Sequence, residues 1–106
     1  MVKHIKDTAE FEGVISNGTV AVVDFYADWC GPCKMLGPVI EEFANEQDET
    51  KVSVVKVNVD DLEEIAAKYG VFSIPTIIFF KDGEVKDKLV GYRPKEHFQK
   101  IVQKLI

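Results

Sequence analysis

Both cysteines of this 106-residue chain stand in Trp29-Cys30-Gly31-Pro32-Cys33, with two residues between them. Thiols at that spacing could form a structural disulfide, half of a metal site, or a pair that cycles between dithiol and disulfide. A bond across four residues gives about 2 kcal/mol by chain entropy, against about 3 for a 15-residue loop. It also joins residues that are already neighbours, so it makes a poor staple. A tetrahedral zinc site needs four ligands, and the pair supplies two. The two histidines, His4 and His97, are far off in sequence and lack ligand spacing. Covalent haem attachment needs a histidine after the second cysteine, and that residue is Lys34. A metal shared between two chains stays open at this point. Redox chemistry is the reading that the neighbourhood favours.

That neighbourhood is a strand ending near Ala27, followed by a helix from about Pro32. Two residues three apart at a helix start have a Cα separation that suits a disulfide. The helix N-terminus carries partial positive charge and unpaired N–H groups, which favour a thiolate. Cys30, at the outer and more exposed edge, suits attack. Cys33, one turn in and better shielded, suits resolution. Pro32 fits the first helical position, where no N–H is needed, and Gly31 leaves room for an incoming chain.

The elements that must hold this pair can be read from pattern. Thr19–Tyr26 and Lys51–Val59 are nearly continuous β-branched runs, as expected of central strands covered on both faces. Thr76–Phe80 is a third strand, and Asp82-Gly83 signals a hairpin into Val85–Val90. Val2–Ile5 forms a short first strand. Asp7 caps a first helix with Glu10 as its partner. The second helix runs from Pro32 to about Gln47. Leu36, Val39, Ile40 and Phe43 form its apolar stripe. Pro38 removes one of its backbone bonds and predicts a kink, softened by the poor helix former Gly37. A third helix begins at Asp61 and ends at Gly70. Pro94 lies in the first turn of a last helix reaching Leu105. The order βαβαβαββα predicts one α/β domain over residues 1–106, with a central mixed sheet and helices on both faces.

Composition narrows the function. Hydrophobic residues make up 46% and charged residues 29%, a globular balance, and the formal net charge of −5 argues against a nucleic-acid backbone as partner. No apolar run is long enough to span a bilayer, and the N-terminus lacks a signal-peptide core. A cytoplasmic protein is expected, in a compartment that keeps thiols reduced.

Other residues also stand out. Asp24 interrupts an apolar strand. A carboxylate buried there must find a partner or take a raised pKa, and a satisfied structural Asp is the plain alternative. Lys56, also in an apolar strand, either pairs with Asp24 or extends its ammonium to the strand edge. X–Pro bonds are mostly trans, so sequence alone makes Ile74–Pro75 trans. A Trp beside a reactive cysteine shapes the rim of a site, although a core position for Trp29 is the ordinary reading.

Taken together, Ala27-Asp28-Trp29-Cys30-Gly31-Pro32-Cys33-Lys34 resembles the active site of the thioredoxin family. The resemblance extends over nearly the whole chain. Val22–Ala27 resembles the strand leading in, Pro38 the proline of the following helix, Ile74-Pro75-Thr76 a cis-proline loop, and Gly83 and Gly91 the later glycines. Gly-Pro between the cysteines is the thioredoxin form, whereas related isomerases and oxidases usually have a histidine there. Tyr92 departs from the pattern, standing where the family often has a small residue. The resemblance implies a thioredoxin fold and a monomer that reduces protein disulfides through a reversible Cys30–Cys33 bond. It implies a separate thioredoxin reductase to restore the dithiol and no bound cofactor. It further implies that Ile74–Pro75 is cis, and that Asp24 accepts the Cys33 proton with Lys56 nearby. Trp29, Gly31, Pro32, Ile74, Pro75 and Gly91 would form a flat, uncharged face for disulfide-containing proteins, suited to many partners. Backbone groups of Ile74 would pair with an extended substrate segment. The rival reading is a binding subunit of a larger complex whose thiols are incidental.

Overall fold

A computed structural model describes residues 2–106. The elements run β1 (Lys3–His4), α1 (Thr8–Ile15), β2 (Val20–Tyr26), α2 (Gly31–Asn45), β3 (Val52–Asn58), α3 (Glu63–Lys68), β4 (Thr76–Lys81), β5 (Glu84–Val90) and α4 (Lys95–Leu105). This is the expected order. The strands form one mixed sheet in the order β1-β3-β2-β4-β5. β2 is central, parallel to β3 and antiparallel to β4.

The unbroken apolar character of β2 follows from having both faces covered. Val20 and Val22 point to a layer with Leu36, Ile40 and Phe43 of α2 and Phe98 and Val102 of α4. Ala21, Val23 and Phe25 point to the opposite layer, with Phe11 and Ile15 of α1 and Ile65 and Ala66 of α3. Continuing the first face along β2 by the two-residue period brings up Asp24 and then Tyr26. The apolar face thus ends in polar groups at the end of β2 that leads to α2.

Local chemistry accounts for the boundaries. The Asp7 carboxylate accepts from the Glu10 N–H at 2.8 Å, capping α1 as expected. Glu10 reaches back one residue further than a capping box would, accepting from the Lys6 N–H at 2.7 Å. Asp82 and Gly83 both have positive φ, 54° and 78°, the requirement of a tight primed hairpin turn between β4 and β5. β5 is an edge strand, exposed along nearly all its length, and Glu84, Lys86, Asp87 and Lys88 guard its free side.

Three helix starts differ from the sequence reading. α2 begins at Gly31, so Pro32 is its second residue and Cys30 is the cap. α3 begins at Glu63, not Asp61. The Asn58 side chain accepts from the N–H groups of Asp60 and Asp61, at 2.9 and 3.3 Å, and holds both acids in a turn. Pro94 lies outside α4 as its cap, with an extended ψ of 155°. Among the described residues no helix is long and apolar enough to cross a membrane.

Candidate active site

Cys30 ends the loop after β2 with an extended backbone, φ −87° and ψ 112°, and its Sγ accepts from the Cys33 N–H at 3.2 Å. A sulfur therefore takes the place that Ser or Asp oxygens usually fill at a helix N-cap. The two cysteines are joined as a disulfide, with Cα atoms 5.2 Å apart, inside the ordinary range. Exposure does not separate the two, contrary to expectation. Each is 4% exposed, because both pack against Ala27 with Tyr26, Val59 and Ile74 around them. The asymmetry lies in the helix. Cys30 sits at the cap, where the orphan N–H groups converge, and Cys33 lies one turn inside.

Asp24 lies on the same sheet face as this helix and is 1% exposed. Neither of its carboxyl oxygens has a hydrogen-bond partner. Burial pushes its pKa from 3.8 up to about 6, with the Lys56 charge pulling the other way. Lys56 is its register partner on β3. The two do not form a direct ion pair, however. The Lys56 Nζ lies 4.4 Å from the centre of the Tyr26 ring. The Tyr26 hydroxyl is 3.3 Å from His4 Nδ1, with the two rings edge to face. A cleft of about 330 Å³ opens here, lined by His4, Tyr26, Ala27, Asp28, Cys33, Lys34, Gly37 and Lys56. Cys33 and Lys56 thus share one solvent-reachable space. Tyr26, read from sequence only as part of a strand, and His4, weighed there only as a metal ligand, join it. Their roles depend on partners that lie far along the chain.

The opposite side of the disulfide meets the Ile74–Pro75 loop. That peptide bond is cis, as the resemblance implied. The Ile74 carbonyl oxygen lies 3.8 Å from Cys30 Sγ. The buried Thr76 hydroxyl donates to the Ser73 carbonyl at 2.5 Å, and the Gly91 N–H donates to the Pro75 carbonyl at 2.8 Å. Gly91 adopts φ +88°, a conformation open to glycine and strained for other residues.

Trp29 is 71% exposed, so the core position is ruled out. Its indole N–H donates to the Asp60 carboxylate at 2.9 Å. Asp60 is presented by the Asn58 turn described above, and neither residue drew attention in the sequence. Phe72 was also passed over. It is 92% exposed at the start of the proline loop, and Met35 and Tyr92 are exposed as well.

A sulfur unmasked at a helix cap, with a second thiol one turn behind it, can exchange disulfides with another molecule. Fold and site together define a dithiol–disulfide oxidoreductase with its pair between a central strand and a helix. The Thioredoxin family model matches residues 2–104. A thioredoxin of Mycoplasmoides gallisepticum is 47% identical over 102 residues, covering 96% of this chain and all of that one. A Staphylococcus epidermidis thioredoxin is 50% identical over 96 residues, covering 91% and 90% of the two chains. Among solved structures, a mutant thioredoxin from Halobacterium salinarum superposes with a TM-score of 0.89 at 36% identity, over 97% of this chain and 88% of that one. Reduced Schistosoma mansoni thioredoxin gives 0.88 at 34% identity, over 99% and 98%. The chain belongs to the thioredoxin family, and its activity is protein-disulfide reduction.

Proposed function

We propose that this chain is a general reductase of protein disulfides that acts as a monomeric, single-domain cytoplasmic protein. Reduced Cys30, as the thiolate, attacks one sulfur of a substrate disulfide. A bond forms between Cys30 Sγ and that sulfur, and the other substrate sulfur leaves as a thiolate. Cys33 then loses its proton to Asp24 and attacks Cys30 Sγ. The Cys30–Cys33 bond forms, the mixed disulfide breaks, and the second substrate thiolate departs. Two electrons have passed from the dithiol to the substrate. A separate thioredoxin reductase returns them.

The observation that carries this order is Cys30 at the cap of α2, its sulfur accepting the Cys33 N–H. An anion is favoured there by the same N–H groups that the oxidised sulfur now engages. Asp24 is buried, unpartnered and holds its proton up to about pH 6, so it is a base able to work near neutrality. Lys56 lends positive charge from the cleft beside Cys33. The substrate chain lies across Trp29, Gly31, Pro32, Ile74, Pro75 and Gly91, an uncharged face that Met35, Phe72 and Tyr92 extend. Backbone groups of Ile74 pair with its extended segment.

The test is reduction of insulin disulfides by dithiothreitol with catalytic amounts of the protein. Acceleration is expected, and its absence would sink the reading. A measured reduction potential then ranks reductase against oxidant. The rival, a redox-independent binding subunit, predicts that a Cys30→Ser, Cys33→Ser double variant keeps the cellular phenotype.

A further inference from the structure

We propose that Tyr26 is a positioning residue whose ring holds the Lys56 ammonium in the cleft beside Cys33 and so keeps it from closing onto Asp24. The proposal rests on the reading of Asp24 as proton acceptor.

Asp24 and Lys56 are directly opposed on neighbouring parallel strands, so their side chains leave the sheet on the same face. Asp24 is buried and Lys56 half-buried, and opposite charges so placed attract one another. Here the Asp24 oxygens stay unpartnered. The ammonium stands 4.4 Å from the Tyr26 ring centre, well inside the range of cation–π attraction. The ring is itself braced. Its hydroxyl lies 3.3 Å from His4 Nδ1, and the two rings meet edge to face at 84° with centroids 6.1 Å apart. His4 is the register partner of Lys56 on its other side, so the brace comes from the strand flanking β3. Which of the two groups donates follows the tautomer of His4.

The groups facing Lys56 can be named from each side. β2 contributes Asp24 and Tyr26, β1 contributes His4, the loop after β2 contributes Asp28, and α2 contributes Cys33 and Lys34. Asp24 is the buried anion among them. A contact ion pair would hold it as a weakly basic carboxylate. Holding the ammonium off on an aromatic face keeps positive charge near Cys33 while leaving the carboxyl able to take up and release a proton.

The test is a carbon-13 carboxyl titration of Asp24 in the oxidised full-length protein, for Tyr26→Leu and Tyr26→Phe, each with Lys56 present and in a Lys56→Met background. Tyr26→Leu is expected to lower the Asp24 midpoint by about 1 pH unit, the lower end of what a newly adjacent opposite charge does. Tyr26→Phe keeps the ring and leaves the midpoint in place. In the Lys56→Met background, Tyr26→Leu has no effect. An unchanged midpoint in Tyr26→Leu overturns the proposal. So does an equal fall in Tyr26→Phe. An equal fall without Lys56 also overturns it, because the ring would then act only by excluding water. Tyr26→Met is the second ringless variant if Leu impairs folding, which thermal unfolding monitors. The titration reads the clamp without turnover, whereas Asp24→Asn turnover reads the proton-acceptor role, so the two failures are distinguishable.

Discussion

Replacing Asp24 by Asn removes a carboxyl that is 1% exposed and unpartnered on both oxygens. Burial raises its pKa from 3.8 to about 6, so between those values the folded protein holds a proton that the unfolded chain has released. Stability therefore falls as pH rises through this window and levels off above about 6. The gap of about 2 pH units, at about 1.4 kcal/mol each, makes a penalty of about 3 kcal/mol at neutral pH. Asn has no proton to lose and resembles the protonated carboxyl in size and polarity. The variant should thus match the parent near pH 4, within whatever its amide contacts change, and gain about 3 kcal/mol on it by pH 8. For a domain of this length that is roughly 12 °C in Tm. Guanidinium unfolding of both oxidised proteins at pH 4, 5, 6, 7 and 8 measures the difference directly. A difference that stays constant across the series, or shrinks as pH rises, would refute the claim that the buried carboxyl is destabilising when ionised. Turnover should move the opposite way, with Asp24→Asn slowing resolution even as it stabilises the fold.

Four other substitutions separate the remaining parts. Cys33→Ser should leave mixed disulfides with substrate proteins standing, visible on non-reducing gels, and Cys30→Ser should give none. Adducts on the Cys30→Ser protein would reverse the assigned order. Asp60→Ala frees the indole of Trp29, the chain's single tryptophan. Its fluorescence anisotropy should drop and KM for a protein disulfide should rise roughly threefold, the worth of a modest hydrogen bond, at constant kcat. An unchanged anisotropy would show that the bond does not orient the ring. Phe43→Ala empties a fully buried position whose ring lies 5.7 Å from that of Phe98. A loss of about 3–5 kcal/mol in denaturant unfolding is expected, and a loss under 1 would mean that α2 and α4 repack.

The element order was legible because it is written in local periods. β-branched runs, a stripe at Leu36, Val39, Ile40 and Phe43, and the Asp82-Gly83 pair each act within a few residues. The boundaries that slipped were set by less local events. Asn58 captured the N–H groups of Asp60 and Asp61 and delayed α3, and an extended ψ left Pro94 outside α4. The cysteine pair was legible for the same reason as the elements, since residues 30 and 33 are one helical turn apart whatever surrounds them.

By itself, then, the sequence determined that a dithiol sits where a strand gives way to a helix, and that a carboxyl would stand in an apolar strand behind it. Only the tertiary structure decided what that carboxyl meets. Parallel pairing of β2 with β3 set Lys56 opposite Asp24, and β1 brought His4 alongside. The Lys56 ammonium came to stand 4.4 Å from the centre of the Tyr26 ring. Folding of a loop 44 residues along the chain set the Ile74 carbonyl beside Cys30, and tertiary packing left both cysteines equally little exposed. The physical reason is range. Caps, periods and turns are fixed by neighbours in sequence, whereas burial, charge separation and contact across the sheet depend on which distant segments the core brings together.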